Sequence, residues 1–480
     1  MRIGIRINHR LRWLIFIFSG LFILFGYLVL FSTSAKGGAD NYAHFRLARY
    51  AFKYPHFFLD HWGKPLFTIL SSPFAQFGFK GIQFFNVIAG LLASFFTYLT
   101  VRKLDYKNPW LAIIFTCFAP VYFIIMLSGL TEILFSLVLM ISVFLFLDKR
   151  FFASSIVISF IIFSRTEGII VLPFFLVAII IEKKYKAIPF LFTGFIFFSL
   201  LGYLIVEDFW WFITQNPYTG AREIYGTGEI THFLNNTKKI NGIPLAFMAV
   251  LGIVSYAIEF LKRSKKTKQL FVEIILVLSI YLAYLAAHSI AWWKGVGGSL
   301  GLIRVMAAVI PLAAILCLRG YNLIFDWLKF NQFVQLALKI IVLIVVIKVP
   351  YDLYHLPLKQ DGREHTLSEA ADWTKQNNLL KHKIYYYDLY FIHQLELNPF
   401  DKNICFERIP ELQKPGKGMP SGSLLQWDAH FGPNEGQLPL DSLINNPYFK
   451  ILKVFKPEKP FKVLNGYEYE VYIFQRTDYK

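Results

Sequence analysis

The chain is 480 residues long, 56% hydrophobic and only 17% charged, with a mean hydropathy of +0.48. Soluble globular domains carry about 25% charged residues, so this chain has too little polar surface to cover a water-soluble body and reads as a membrane protein. Its formal net charge is +18, but the basic residues fall in short clusters between apolar runs, the pattern of membrane topology and not of a nucleic-acid-binding face.

The N-terminal MRIGIRINHRLRW is basic and leads into an apolar run from Leu14 to Phe31. That run is about as long as a bilayer-spanning helix and has no convincing small-residue cleavage site after it, so a retained first helix is expected. Apolar runs that span or nearly span lie at 13–33, 84–101, 110–127, 131–147, 151–164, 168–181, 187–206, 242–261, 270–290, 302–321 and 333–350. The fifth and sixth are short and separated only by Arg165-Thr166-Glu167. Basic clusters stand at Arg2, Arg6, Arg10 and Arg12, at Arg102, Lys103 and Lys107, at Lys149-Arg150, at Lys183, Lys184 and Lys186, and at Lys262, Arg263, Lys265, Lys266 and Lys268. With the N-terminus in the cytoplasm, about eleven spans put every cluster on the cytoplasmic side, provided the fifth and sixth runs are separate crossings. Residues 34–83, 207–241, 288–301 and the tail from Tyr351 are then extracytoplasmic.

The expected fold class is an α-helical polytopic membrane protein of about eleven transmembrane helices over residues 1–350, followed by an extracytoplasmic α/β domain over 351–480. The tail lacks a spanning run and contains a helix-like LSEAADWTKQNNL and strand-like runs at 383–391, 450–455 and 469–476, punctuated by turns such as Lys414-Pro415-Gly416. Cys117 and Cys317 lie in apolar runs and Cys405 in the tail, without metal-ligand spacing or a disulfide framework.

Charges near membrane depth are costly and usually have a reason. Here they gather at the expected outer ends of spans. Asp40 and His44 follow the first, and Asp60, His61 and Lys64 precede the second. Glu132 opens the fourth, and Arg165 and Glu167 separate the fifth and sixth. Glu207 and Asp208 end the seventh and His288 the ninth, while Lys294 and Arg304 flank a glycine-rich KGVGGSLGLIR. Asp40 reads either as a helix cap or as a general base or metal ligand with His44 one turn on. Lys64 before Pro65 suits a phosphate or a solvated turn. Glu132 reads as a carboxylate favoured at a helix N-terminus or as a substrate contact. Arg165 with Glu167 reads as an ion pair. Arg304 after glycines reads as an anion site or as a snorkelling arginine. GVGGSLG lacks the strand–turn–helix setting of a dinucleotide fingerprint.

Four features resemble the membrane-embedded GT-C glycosyltransferases, the superfamily of protein O-mannosyltransferases and the aminoarabinose transferase of lipid A. A basic N-terminus precedes one span. The outer loop 34–83 opens with an acid, Asp40 in GGADNYAHF, and ends in lysine-proline in GKPLFTILSSPF. A multi-span body then leads to an outer α/β domain. SGLTEILFS (128–136) and SRTEGIIVLPF (164–174) also look like elements of that superfamily. The resemblance implies an enzyme of the cell envelope in the cytoplasmic membrane. It would make an inverting, mannosyltransferase-like transfer of a hexose from a polyprenyl-phosphate donor to a hydroxyl on a glycan, lipid or protein. It implies Asp40 as the acceptor's base or a ligand of a divalent cation (magnesium or manganese), and Lys64 and Arg304 on the leaving phosphate. His44, Asp60, His61, Glu132, Arg165 and Glu167 are further contacts, with Asp60 and His61 as the other metal candidates. One departure stands out: the family's glutamate before lysine-proline is Gly63 here. A transporter or flippase of lipid-linked sugars is the alternative, but it calls for ionisable groups at mid-bilayer and related halves.

Overall fold

The computed structural model describes residues 9–217, 225–261, 267–328 and 330–478. Arg2, Arg6, Lys262, Arg263, Lys265 and Lys266 of the topology argument lie outside the described residues, as does the side chain of Arg10. The chain forms two units: the described residues of Met1–Ser32 with Leu47–Pro357, and those of Thr33–Arg46 with Leu358–Lys480.

The first unit is helical, and the expected apolar runs are largely helical. Among the described residues seven segments are long and apolar enough to cross a membrane: Leu11–Phe31, Gly78–Lys103, Tyr185–Val206, Ile243–Leu261, Lys268–Lys294, Ile303–Trp327 and Gln332–Leu353. The remaining runs are shorter. Residues 110–127 break into Leu111–Cys117 and Pro120–Met126, because proline opens a helix but cannot continue one. Glu132–Leu147 has 16 residues. Phe151–Ser164 and Thr166–Ile181 are parted at Arg165, whose backbone is extended (φ −160°, ψ 138°). Inside the expected outer loop lies one further short apolar helix, Pro65–Ala75.

Ile303–Trp327 is the most enclosed segment and Gln332–Leu353 among the least, so the former is the unit's axis and the latter turns apolar faces outward, as lipid-facing helices do. Ile243–Leu261 packs on Ile310–Trp327 through small residues. A Cβ on Gly252 would collide with the Leu316 carbonyl, and one on Gly320 with the Met248 carbonyl. Near one end of this pair Arg319 ties three elements together. Its Nε donates to Ser255 Oγ at 2.5 Å and its Nη1 to Tyr106 OH at 2.7 Å and Glu273 Oε1 at 3.2 Å, while Nη2 pairs with Glu259. The Tyr106 and Tyr256 hydroxyls both donate to Glu273.

The second unit carries a five-stranded mixed sheet. Its strands are β1 (Ile384–Tyr386), β2 (Cys405–Glu407), β3 (Leu424–Asp428), β4 (Phe449–Phe455) and β5 (Val471–Arg476), in the order β2-β1-β3-β5-β4. β1 pairs in parallel with β2 and β3, whereas β5 is antiparallel to β3 and β4. Tyr385, Trp427, Phe449 and Phe474 are part of its core. The helix Gly362–Gln376 starts at a capping box in which Glu364 N donates to Asp361 Oδ1 (2.9 Å) and Asp361 N to Glu364 Oε2 (3.3 Å). The run 383–391 is not one strand. It ends at Tyr386, and Asp388 caps the helix Leu389–Leu395 by accepting from Tyr390 N (2.8 Å).

The loop 34–83, read from sequence as one outer element, is divided between the units. Thr33 N donates to Leu358 O (2.8 Å). The Tyr42 ring lies 4.9 Å from Tyr390 and 4.8 Å from His393. Arg46 Nη1 donates to Glu407 Oε2 (2.8 Å) and Tyr386 OH (3.2 Å). These aromatic and acidic partners draw 33–46 into the tail's unit, while Asp60 to Lys64 belong to the membrane unit.

Candidate active site

In the membrane unit the short SGLTE segment is set by two amides of the helix Gly78–Lys103. Gln83 Nε2 donates to Leu127 O (2.6 Å), and Asn86 Nδ2 to Ser128 O (2.7 Å) and Leu130 O (2.8 Å). Buried carbonyls between two helices need such donors. With the turn fixed, Glu132 is the first residue of Glu132–Leu147, where the helix dipole favours a carboxylate. Its side chain is 1% exposed.

Arg165 reaches Glu132 from the break between two short helices. Its Nη1 lies 2.9 Å from Glu132 Oε1 and 3.0 Å from Thr131 Oγ1, and its Nη2 donates to Glu167 Oε1 at 2.8 Å. Arg304 approaches the same carboxylate oxygen, with Nε at 3.6 Å. It follows Gly295, Gly297, Gly298 and Gly301, whose φ angles of 62–66° are left-handed and strongly favour glycine. Tyr284 and His288, ring centroids 4.6 Å apart on the helix Ile280–Lys294, lie in the field of Arg165 and Glu167. The charge of Lys64 also acts on Glu167.

Six residues singled out from the sequence thus meet: Lys64, Glu132, Arg165, Glu167, His288 and Arg304. Three cations (Lys64, Arg165, Arg304) face two carboxylates (Glu132, Glu167), leaving an excess of one positive charge. Glu132 Oε2 and His288 Nε2 are buried and lack a hydrogen-bond partner among the described residues. Buried polar atoms are rarely left so, and the excess charge suits an anion. Tyr284, Thr131, Gln83 and Asn86 were missed. The signal for them is polar spacing on apolar helices: Gln83 and Asn86 three apart, Tyr284 and His288 four apart.

Lys64 stands at the end of a tight turn. Gly63 N donates to Asp60 Oδ1 (2.7 Å), and Thr68 Oγ1 donates to Gly63 O (2.9 Å). Lys64 itself is buried and has φ +59°, rare for a residue with a side chain, and Pro65 opens the next helix. A Cβ on Gly63 would sit 2.8 Å from Thr68 Oγ1 and 3.0 Å from Leu47 Cδ1. A glutamate at this position would require Thr68 or Leu47 to shift, and Asp60 serves the turn. His61 is buried with its ring 4.9 Å from Trp211 and 5.2 Å from Phe212. Burial holds its pKa below the ordinary imidazole value, and the charge of Lys64 acts the same way.

Among the described residues no group of three or more His, Cys, Asp and Glu side chains is placed to hold a metal ion. Asp60 and His61 have the partners just given, and the proposed transfer uses no divalent cation. In the other unit, Asp40 is the first residue of the helix Asp40–Tyr50 and half-buried, after Gly37 and Gly38 at φ 126° and 66°. His44 is buried. Asp208 caps a local turn by accepting from Trp210 N (2.8 Å), and Lys294 is exposed over the Trp293 ring.

No protein-family model matches the chain, and no curated protein matches it in sequence. Solved structures do. ArnT from Cupriavidus metallidurans in the apo state covers 97% of this chain and 98% of its own length, with a TM-score of 0.63 and 12% identity. ArnT from the same organism bound to undecaprenyl phosphate covers 96% and 97%, with a TM-score of 0.60 and 12% identity. At that identity the likeness is one of fold. The chain is a multi-pass membrane protein with the fold of ArnT and a small C-terminal sheet domain.

Proposed function

We propose that this protein transfers a sugar, as a mannosyltransferase-like hexosyl group, from a polyprenyl-phosphate donor to a hydroxyl acceptor on the outer face of the cytoplasmic membrane, with inversion. The observation that carries this reading is the fold shared over 96% of the chain with ArnT bound to undecaprenyl phosphate. The cationic excess around Glu132 supports it locally.

In this reading the acceptor oxygen attacks the anomeric carbon opposite the phosphate. The bond from that carbon to the phosphate oxygen breaks, its electron pair stays on the phosphate, and the acceptor proton passes to Asp40. Polyprenyl phosphate is already a good leaving group and needs its charge stabilised more than it needs a proton. Lys64 supplies a point charge and Arg304 a planar fork for phosphate oxygens. Glu132 and Arg165 hold the surroundings of Arg304 fixed.

The test uses the purified full chain with a radiolabelled polyprenyl-phosphate hexose and a panel of lipid, glycan and peptide hydroxyls. Label should move to an acceptor as free polyprenyl phosphate accumulates in equal amount, and Asp40→Asn should abolish the transfer without reducing yield. Translocation of intact donor across a bilayer with no transfer would favour a flippase instead. Full activity in Asp40→Asn would remove Asp40 as the base. For the topology, a reporter fused after Lys480 should report the outside.

A further inference from the structure

A second cationic feature lies at the other end of the helix Glu132–Leu147, about 22 Å from Glu132 along the axis at 1.5 Å per residue. Two turns meet there. One is Asp148-Lys149-Arg150, before the helix Phe151–Ser159. The other is Glu182-Lys183-Lys184, after the helix Leu172–Ile181. Lys149 and Lys183 both hold left-handed backbones, at φ 65° and 57°. The turns border an open surface pocket of about 710 Å³ lined by Lys149, Arg150, Phe151, Phe152, Glu182 and Lys184.

The acids here are already engaged. Glu182 pairs with Lys149 through Oε1 (3.0 Å) and with Lys268 through Oε2 (2.9 Å). Asp148 pairs with Lys103 (2.9 Å) and Arg150 (3.0 Å). Counting Lys103, Lys149, Arg150, Lys183, Lys184, Lys186 and Lys268 against Asp148 and Glu182 gives seven minus two, an excess of five positive charges. Lys183, Lys184 and Lys186 form no ion pair among the described residues. The ammonium groups of Lys149 and Lys184 stand 5.8 Å and 5.7 Å from the centroid of one ring, Phe151. Two like charges are thus gathered at one ring, and of the two only Lys149 is paired with Glu182 among the described residues. On the pocket's apolar side Phe152 is half exposed and packs on Phe190 at 5.4 Å, and Tyr185 is exposed too.

A cationic pocket between short helices, with exposed aromatic side chains beside it, has the chemistry of a lipid phosphate with its acyl chains. We propose that this pocket holds the headgroup phosphate of an anionic phospholipid on the basic side of the membrane. Arg150 and Lys184 contact the phosphate, and the acyl chains run along Phe152. The site is separate from the Glu132 cluster and does not depend on the sugar-transfer reading.

The test is native mass spectrometry of the purified full chain in detergent with equal amounts of phosphatidylglycerol and phosphatidylcholine of identical acyl chains. Wild type should retain phosphatidylglycerol preferentially. Arg150→Gln combined with Lys184→Gln, which leaves the Lys103–Asp148 and Lys149–Glu182 pairs in place, should reduce that preference by about ten-fold. Lys183→Gln combined with Lys186→Gln removes the same charge outside the pocket and should reduce it less than two-fold or so on the same scale. The single variants Arg150→Gln and Lys184→Gln, each with its thermal unfolding recorded, guard against a folding defect. Equal losses in both pairs would overturn the site in favour of diffuse surface charge. Absence of a preference in wild type would overturn it outright. Displacement of the lipid by millimolar inorganic phosphate would show a free-anion site instead.

Discussion

The enclosed segment Ile303–Trp327 carries an arginine near each end, and the two live differently. Arg319 spends its guanidinium on a serine, a tyrosine and two glutamates, and the Tyr106 and Tyr256 hydroxyls donate hydrogen bonds to Glu273. Among the described residues no buried side-chain atom of that network lacks a hydrogen-bond partner. Arg304, about 22 Å away at 1.5 Å per residue, shares one carboxylate with Arg165 at the longer distance of 3.6 Å. That cluster carries one cation in excess and includes Glu132 Oε2 and His288 Nε2, buried without a hydrogen-bond partner among the described residues. A buried charge network that closes on itself ties helices together. One that stays open at membrane depth is a binding site in waiting.

The largest effect that separates the two is on turnover. Lys64→Ala with Arg304→Ala should lower sugar transfer by at least about a thousand-fold, in line with loss of charge stabilisation of a leaving group, while the unfolding temperature moves little. Arg319→Ala should do the reverse. Leaving Glu273 buried without its partner costs about 3–5 kcal/mol, seen as a lower unfolding temperature, while the protein that remains folded keeps its specific activity. Equal behaviour of the two arginines would break the contrast.

A smaller effect is expected at Glu132. Glu132→Gln removes the charge that Arg165 and Arg304 share, and should lower kcat by about ten-fold with a lesser change in KM for the donor. A rise in KM alone would make Glu132 a simple binding contact. Gly63→Ala should destabilise by about 1–3 kcal/mol, because the added methyl meets Thr68 and Leu47, and should blunt transfer by displacing Lys64. Wild-type stability and activity would show that the turn has slack.

The smallest concerns acid. His61 beside Lys64 is buried, so its folded pKa lies below its unfolded value of about 6.5. Between those values the unfolded chain binds more protons, so the neutral ring's contribution is complete above about pH 6.5 and is lost as pH falls through the folded value. His61→Phe should therefore narrow the difference in unfolding temperature between pH 7.5 and pH 5. An unchanged difference would place the acid sensitivity elsewhere.

Much of this was readable from residue order. The apolar runs became largely helix, and Glu132, Arg165, Glu167, His288 and Arg304 were found because charge is rare in such runs and each stands at the end of one. What escaped needed three dimensions. Glu259, Glu273 and Arg319 look like ordinary flanking charges until the packing of Ile243–Leu261 on Ile310–Trp327 brings them together. Arg46 meets Tyr386 across 340 positions of sequence, a pairing that no local pattern signals, so 33–46 could not be assigned to the tail's unit. Gly63 looked like a missing acid. Only the position of Thr68 and Leu47 shows that a side chain there would have to displace them.

The most direct test is binding of a polyprenyl phosphate to the purified full chain, measured side by side for wild type, Lys64→Ala with Arg304→Ala, and Arg319→Ala. Wild type and folded Arg319→Ala should bind alike, and the double variant should bind at least about a hundred-fold more weakly. Wild-type affinity in the double variant would contradict the assignment of this cluster to the phosphate.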